Sequence, residues 1–435
     1  MSEIDTFTSP ELDKFPSDWQ VRRFDSLFAV QQGKQISKKN RIGENQRPFL
    51  RTKNVFWGRL DLTDLDEMHF TEAEEKRLAL QPGDLLVCEG GDIGRTAIWR
   101  GGLANCYYQN HLHRARAWDG AADSEFALYW LWYAFEIGSV YFGRGNVTTI
   151  PNLSQSKLCE LPLPNPPLAE QQKIAGVLGL VQQAIEQQKR LIALTTELKK
   201  TLLHKLFTEG LHGEPQKQTD IGPIPQSWEV VPLGSLAKIG NGSTPKRDNE
   251  GYWQDGTIPW LNSAKIHERF IVEADQFVTD LAVKECHLPR VKPSSLLVAI
   301  TGQGKTLGNS ALVSFETCIN QHLAYAQFTS PRVVPEFVLW FMQTRYEHLR
   351  SISQAGGSTK GALTCGYLKT YPIPVPSLDE QQDISKVFAV LDQKERVHQR
   401  KHVALTALFR TLLYQLMTAQ IRVHDLDLPE LEGNS

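Results

Sequence analysis

Hydrophobic residues recur at helical spacing in two long segments that are free of proline. In the first segment they lie three, four or seven positions apart, which places them on one face of a helix; they are Ile174, Val177, Val181, Ala184, Leu191, Leu198 and Leu202. The second segment has a similar seam, made of Ile384, Val387, Leu391, Leu405, Leu408 and Leu412. A helix from Leu168 to Phe207 would be about 60 Å long at about 1.5 Å per residue. We therefore expect the two helices to pack on each other as a coiled coil.

Polar residues interrupt both seams, so the pairing is expected to be irregular. They are Gln188, Thr195, Lys394, His398 and Lys401. The alternative is that each helix is only the last helix of its own domain.

The two segments are copies of each other. Leu158 to Leu211 aligns with Leu368 to Ile421 without a gap at an offset of 210 residues, and identical residues include both Leu-x-Glu-Gln-Gln-x-Ile signatures. Upstream the similarity is weaker but keeps its order, since Trp19-Gln20-Val21 matches Trp228-Glu229-Val230. The chain is therefore predicted to be a tandem repeat of one unit, with a divergent front of about 150 residues and a well-matched back of about 55.

Each back begins with alternating prolines, which hold the chain extended and prevent a helix from starting before the last of them. Each front mixes short β-type runs, such as Ser295 to Ile300, with glycine turns and an apolar helix near Phe126 to Phe135. The predicted fold is α/β (α+β). Its predicted segments are domain 1 at 1–160, helical region 1 at 161–212, domain 2 at 213–370, and helical region 2 at 371–435, which ends in an acidic tail.

The composition changes this interpretation little. The formal charge of −2 over 435 residues provides no global positive field, so any contact with DNA must use local patches. The longest apolar stretch is about half of the ~20 residues that span a bilayer, and the acidic N-terminus is unlike a signal peptide. We expect a cytoplasmic protein.

Two segments resemble a ligand-binding or catalytic motif, but each lacks a residue that the motif requires. Ala299 to Thr306 resembles a phosphate-binding loop but has alanine where the first glycine is needed. Asn165-Pro166-Pro167-Leu168 resembles the amine-binding tetrapeptide of amino-methyltransferases, but leucine cannot stack on a flipped base. His111 and His322 occupy matched places and are interpreted as core or loop hydrogen-bonding residues. The sequence therefore predicts no catalytic residue, no metal ligand and no cofactor in this chain.

Taken together, these motifs resemble the specificity subunit of a type I restriction-modification system. The residues that carry the resemblance are the alternating prolines, the doubled Glu-Gln-Gln signature, the helices ending in Thr-Leu-Leu-x-x-Leu, and the two Pro-x-x-Trp-x-Val openings. The resemblance covers about Phe15 to Ile421. It implies two target-recognition domains, each reading one half of a bipartite asymmetric DNA site, and two helices that pack antiparallel as a spacer.

The resemblance also implies partners. Modification subunits, two of them expected, would dock on the helical regions and use S-adenosylmethionine to methylate adenine, while restriction subunits would use ATP and Mg²⁺ to translocate and cleave double-stranded DNA. This chain would be non-catalytic. Two alternatives stay open: a helical scaffold that does not bind DNA, and the specificity half of a split or fused restriction-methylation enzyme.

Candidate DNA-binding residues are polar and lie in glycine-flanked loops of the fronts, because arginine and lysine read guanine while asparagine and glutamine read adenine. They are Lys34, Lys38, Lys39, Arg41, Arg51, Lys53, Arg95, Arg144, Asn146, Thr148, Lys238, Asn241, Lys246, Arg247, Asn262, Lys265, Lys305 and Lys360. Candidate residues for helix and partner contacts are Glu170, Gln171, Gln172, Ile174, Val177, Leu198, Leu202, Glu380, Gln381, Gln382, Ile384, Val387, Leu408 and Leu412.

Overall fold

The computed structural model describes residues 14–37, 42–141, 152–302, 305–355 and 363–426. The chain forms two compact units, each with its own core. The first unit comprises Met1–Lys189 and Arg400–Ser435, and the second comprises Arg190–Gln399. Each long helix is therefore divided between the units, a division that cuts through the predicted helical regions.

The first unit combines short strands with short helices. Its strands are β1 (Gln20–Arg23), β2 (Phe28–Gln32), β3 (Gln46–Leu50), β4 (Val55–Phe56), β5 (Arg59–Leu60), β6 (Asp66–His69), β7 (Leu85–Cys88), β8 (Thr96–Ile98), β9 (Tyr107–Tyr108), β10 (Leu112–Ala117) and β11 (Pro162–Asn165). Its short helices are α1 (Phe24–Leu27), α2 (Glu72–Leu78), α3 (Ser124–Trp132) and α4 (Gln155–Glu160), with 3₁₀ turns at Thr52–Asn54 and Val423–Asp425 and a π turn at Tyr133–Ile137.

The second unit repeats this plan. Its strands are β12 (Gln216–Thr219), β13 (Gly222–Pro225), β14 (Glu229–Pro232), β15 (Ala237–Asn241), β16 (Ile258–Leu261), β17 (Phe270–Ile271), β18 (Gln276–Val278), β19 (Ser295–Ala299), β20 (Ser310–Val313), β21 (Cys318–Ile319), β22 (Leu323–Phe328) and β23 (Pro372–Val375). Its short helices are α6 (Leu233–Leu236), α7 (Glu250–Trp253), α8 (Asp280–Glu285), α9 (Pro335–Thr344), α10 (Tyr346–Ala355) and α11 (Cys365–Thr370), with a 3₁₀ helix at Ser263–Glu268.

The main sheet of each unit contains one strand of six residues, β10 or β22. In the first unit the order is β2-β10-β7-β8, and in the second it is β15-β22-β19-β20-β17. A smaller three-stranded sheet accompanies each, in the orders β6-β3-β9 and β18-β16-β21. Most strand pairs are antiparallel, and β7 and β19 are buried along their whole length. The predicted mixed α/β fold with small sheets is confirmed.

The alternating prolines form strands that pair along one side only. Strand β11 pairs with β1, and β23 pairs with β14, in two separate two-stranded sheets. Proline has no N–H to donate to a second neighbour, so such strands are confined to the edges of sheets. The next residues begin the long helices α5 (Leu168–Glu209) and α12 (Leu378–Met417).

Within each unit, one half of α5 packs antiparallel on one half of α12. In the first unit Ile174 and Ile185 share a core with Leu413 and Met417. In the second unit a core contains Phe207, Ile384, Phe388 and other side chains of both helices. The predicted pairing of the helices is confirmed.

Two predicted seam residues do not lie in the seam. Leu198 and Leu408 are 49% and 45% exposed, whereas the next residues, Lys199 and Phe409, are buried. A straight α-helix drifts about 20° per seven residues relative to a strict heptad, so a seam extrapolated over several turns points away from the core.

Candidate nucleic-acid interface

A glutamate and a glutamine fix the first domain to the start of helix α5. Trp19 Nε1 donates a hydrogen bond of 3.2 Å to Glu170 Oε2. Gln171 Nε2 donates to Asn165 Oδ1 and Pro166 O, at 2.8 Å each, and Gln171 Oε1 accepts from the backbone N–H of Asp123 at 2.8 Å. Both side chains are buried, so the domain and the helix are held as one body.

The second unit has the same clamp. Trp228 Nε1 donates to Glu380 Oε2 at 3.0 Å. Gln381 Nε2 donates to Pro376 O and Arg332 O at 2.9 Å each, and its Oε1 accepts from Val334 N at 2.8 Å. The structure thus places Glu170, Gln171, Glu380 and Gln381 inside the units, where they join each long helix to its own domain. Gln172 and Gln382 are exposed.

The segment after helix α12 completes the clamp of the first unit. Arg422 Nε donates to Glu170 Oε1 at 2.7 Å, and its terminal nitrogen donates to Asp18 Oδ2 at 2.6 Å. The hydrogen bond to Glu170 and then that to Asp18 raise the pKa of Arg422 above its ordinary value. Arg422 in turn lowers the pKa of Asp18. The two ends of the described chain are joined at this point.

Several predicted DNA-binding cations of the first unit are engaged within it. Lys34 is buried, and its Nζ donates to His69 O at 2.7 Å and to Glu74 at 2.5 Å. The other three pair with neighbouring loops: Arg51 with Asp66 at 2.6 Å, Lys53 with Asp64 at 2.7 Å, and Arg95 with Asp92 and, at 2.8 Å, with Thr52 O. Arg51 lowers the pKa of Asp66, and Asp64 raises the pKa of Lys53. These cations hold the loops of their own domain.

Three predicted DNA-binding residues of the second unit also contact residues of their own unit. Lys265 pairs with Glu268 at 2.7 Å and with Asp275 at 3.0 Å. Arg247 stacks 3.8 Å above the ring of Trp253. Asn262 caps the 3₁₀ helix that follows it by accepting from Ala264 N at 2.8 Å.

The remaining candidates divide into two groups. Lys238, Asn241, Lys246 and Lys305 are exposed, and within the described ranges none of the three lysines forms an ion pair. The others lie outside the described residues; they are Lys38, Lys39, Arg41, Arg144, Asn146, Thr148 and Lys360.

A polar group that the sequence analysis missed lies where β2 and β7 end and β10 begins. We call Gln32, Glu89, Asn110 and His111 the distal edge of the first unit. Gln32 Nε2 donates to Asn110 O at 3.0 Å and lies 3.4 Å from Glu89 Oε2. His111 Nδ1 is 3.7 Å from the same oxygen, and the His111 side chain is 60% exposed. The Glu89 side chain is 13% exposed, so the group presents exposed His111 and a partly buried carboxylate at the surface of the domain.

The distal edge of the second unit lies at the matching strand ends, where β15 and β19 end and β22 begins. It comprises Thr244, Thr301, Gln321 and His322. Thr244 bonds to Gln321, Thr301 bonds to His322 Nδ1, and Gln321 Nε2 lies 3.4 Å from His322 Nε2. The available sequence signal was the matched pair His111 and His322, which we interpreted only as core or loop hydrogen-bonding residues.

Nothing in the described part of the chain suggests a catalytic metal. No group of three or more His, Cys, Asp or Glu side chains is placed to bind a metal ion among the described residues. None of the described helices combines the length and the apolar character needed to cross a bilayer.

The repeat of fold and clamp agrees with comparison to known proteins. A family model described as the type I restriction modification DNA specificity domain matches residues 16–196 and again residues 225–407. The chain belongs to this family. Its two matches coincide with the two halves of the repeat, so the chain carries two DNA specificity domains.

Individual relatives extend over nearly the whole chain. A putative type I restriction enzyme specificity subunit, MjaX, from Methanocaldococcus jannaschii is 25% identical over 96% of this chain and 97% of its own length. The MjaIX specificity subunit of the same organism is 24% identical over 97% of each chain. The crystal structure of the S subunit of a type I system from M. genitalium has 19% identity and a TM-score of 0.59, covering 96% of this chain and 98% of that one, and so shows the shared fold.

Proposed function

We propose that this chain gives a type I restriction-modification complex its DNA sequence specificity, with each domain contacting one half of a bipartite, asymmetric site. The observation that carries the proposal is the contrast within the repeat. Both domains have the same buried clamp to the helices, while their distal edges present different side chains. Two domains that are attached to the helices in the same way but present different side chains to DNA are suited to contact two different half-sites.

Exposed apolar residues on the helices support a docking surface that occurs twice. Leu180 and Val390, which are 210 positions apart, are 49% and 51% exposed, and Leu198 and Leu408 are 49% and 45% exposed. Large apolar side chains repeated on the surface of a helix favour burial against another protein. We propose that each unit binds one modification subunit there.

The chemistry would then belong to the partners. Modification subunits would supply S-adenosylmethionine-dependent adenine methylation, and restriction subunits would supply ATP- and Mg²⁺-dependent translocation and cleavage. In this proposal the chain itself only selects the DNA, and the complex acts in the cytoplasm on double-stranded DNA.

Mapping of methylated adenines in genomic DNA tests the proposal. Deleting the gene for this chain is expected to remove methylation from one bipartite motif and from no other motif, and restoring it should return that motif. Purified complex should bind the same motif selectively and more weakly as salt rises. An unchanged methylation pattern together with no selective DNA binding would favour the helical scaffold.

The spacer role has its own test. Inserting one helical turn between Thr195 and Glu197 is expected to change the number of base pairs between the half-sites while their sequences stay the same, because the insertion lengthens α5 by about 5.4 Å. An unaltered gap in the methylated motif would argue against a spacer.

A further inference from the structure

In each unit the distal edge and the residue held by the clamp lie beyond opposite ends of the same strand, β10 or β22. In the first unit β10 begins at this edge, and beyond its other end lies Asp123, whose N–H donates to Gln171 at 2.8 Å. In the second unit β22 begins at the edge, and beyond its other end lies Val334, held by Gln381 at 2.8 Å. A strand of six residues is about 20 Å long, and this length of strand separates each edge from the clamped residue beyond its other end.

The two edges share a backbone framework. Glu89 N donates to His111 O, and Glu89 O accepts from Leu153 N at 2.7 Å. At the matching place in the second unit, Ile300 N donates to His322 O and Ile300 O accepts from Leu363 N, also at 2.7 Å. Glu89 and Ile300 are therefore structural equivalents, and the first edge has a carboxylate where the second has an aliphatic side chain.

The carboxylate of Glu89 has unused hydrogen-bonding capacity. Its Oε2 faces Gln32 Nε2 and His111 Nδ1, at 3.4 and 3.7 Å. Within the described chain no hydrogen bond to Oε1 is formed. A carboxylate carries two strong acceptor oxygens, so a ligand with a polar N–H can still bind.

Resting on the proposed function, we infer that Glu89 is a specificity-determining residue that accepts a hydrogen bond from the exocyclic amino group of a cytosine in the half-site read by the first unit. A carboxylate repels DNA phosphates, so at a DNA-facing surface it favours binding only where it meets a base donor. Cytosine N4 is the donor that glutamate and aspartate read in the major groove.

The second edge reads its half-site without a carboxylate. His322, Gln321, Thr301 and Thr244 offer imidazole, amide and hydroxyl groups, and exposed Lys305 follows Thr301 four positions later in the sequence. Amide and imidazole groups can both donate and accept, which suits purine edges. The Glu89 and Ile300 difference would thus contribute to the asymmetry of the bipartite site.

The test compares Glu89→Gln with Glu125→Gln, both in the full complex with its modification subunits. Glu125 is the matched control because it is a glutamate of the same unit that pairs with Arg100 at 2.8 Å. Binding is measured against oligonucleotides in which each base pair of the methylated motif is replaced in turn, and motifs are mapped in cells expressing each variant.

Glu89→Gln is expected to lose roughly 5- to 150-fold discrimination at one cytosine position of one half-site, with a gain for adenine, which glutamine reads. The other half-site should be read as before, which also shows that the variant is folded. Glu125→Gln should leave every position unchanged, and His322→Ala should alter only the second half-site.

Three results would overturn the inference. Glu89→Gln could leave all positions unchanged, it could weaken binding equally for all sequences, or it could alter the half-site that His322→Ala alters. In each case a bipartite motif would still depend on this chain, so the proposed function would stand. Absence of any motif that depends on the chain would instead remove the proposed function itself.

Discussion

The two units differ in the residues that lie beside their helices at equivalent positions: those of the second unit are charged, and those of the first are uncharged. In the second unit Asp392 is 3% exposed and accepts two hydrogen bonds from Arg269, at 2.7 and 2.8 Å, as well as one from Lys199. Both cations lie over the ring of Trp340, at 5.2 and 5.1 Å. The second unit therefore joins its domain to its helices through an ionic cluster centred on the buried carboxylate of Asp392.

The first unit has uncharged residues at the equivalent positions. Gln182 occupies the position of Asp392, and its Oε1 accepts a hydrogen bond from the hydroxyl of Tyr129 at 2.8 Å. Phe409 occupies the position of Lys199, and its ring centroid lies 4.9 Å from that of Trp132. A cavity of about 370 Å³ remains beside these rings, lined partly by Trp57 and His402. The comparison teaches that the repeat preserves the clamp at the ends of the helices and leaves their middle free to diverge.

The largest expected effect comes from removing the centre of the ionic cluster. Asp392→Ala should destabilise the second unit by about 3–5 kcal/mol, because it leaves Lys199 and Arg269 without their buried counter-charge. Gln182→Ala should cost the first unit about 1 kcal/mol, the value of one hydrogen bond between neutral groups. Hydrogen exchange resolved by segment measures each unit separately.

Exposed Asp383, which pairs with Lys386 at 2.9 Å, provides the control for this comparison. Asp383→Ala should change the free energy of unfolding by less than about 0.5 kcal/mol. Equal losses from Asp392→Ala and Gln182→Ala would show that the two units do not differ in the way the contacts indicate.

A smaller effect is expected at the joined ends of the first unit. Arg422→Ala should destabilise that unit by about 2 kcal/mol, because buried Glu170 loses two charge-assisted hydrogen bonds. At the equivalent place among the described residues of the second unit, Glu380 Oε1 accepts instead from Leu211 N at 2.9 Å. Faster hydrogen exchange of the backbone amides of α3, with unchanged exchange in α9, would confirm that only the first unit is destabilised.

The pH dependence of the same variant provides its control. Arg422 lowers the pKa of Asp18 below 3.8, so this carboxylate stabilises the folded state above about pH 4, and the contribution is lost as the pH falls through the lowered value. Arg422→Ala should remove this part of the acid sensitivity, whereas Arg400→Ala, at an exposed position, should keep it. Unfolding in urea from about pH 5 to about pH 2 would measure the difference. Identical acid profiles for the two variants would contradict the assignment.

The smallest effect on stability is expected on the exposed faces of the helices, where the units are alike. Leu180→Lys and Val390→Lys should each change the free energy of unfolding by less than about 0.5 kcal/mol. Each should nevertheless remove one of two bound modification subunits, as measured by the mass of the complex. Gln183→Lys, on the same helix, is the matched control, and loss of both subunits from a single variant would show that the two sites are not independent.

The fold was more predictable than the site. Helices α5 and α12 could be predicted because about a dozen consecutive residues already show apolar side chains at helical spacing. The edge strands β11 and β23 could be predicted because proline has no N–H to donate to a second neighbouring strand. The cationic candidates were chosen by residue type, and Lys34, Arg51 and Lys265 then proved to be paired with carboxylates of their own domain. Sequence spacing does not indicate which side chain a loop brings to face a given cation.

The sequence by itself determined the tandem repeat, the two long helices and the mixed α/β domains, because each depends on local period, proline content or similarity between two segments of one chain. Only the tertiary structure decided that Gln171 and Gln381 are buried clamps, that Leu198 faces solvent, and that Glu89 rather than a lysine stands at the distal edge. These properties depend on partners far apart in the chain, such as Trp19 and Glu170, which are 151 residues apart. Burial and hydrogen bonding are settled only when the chain has brought such residues together.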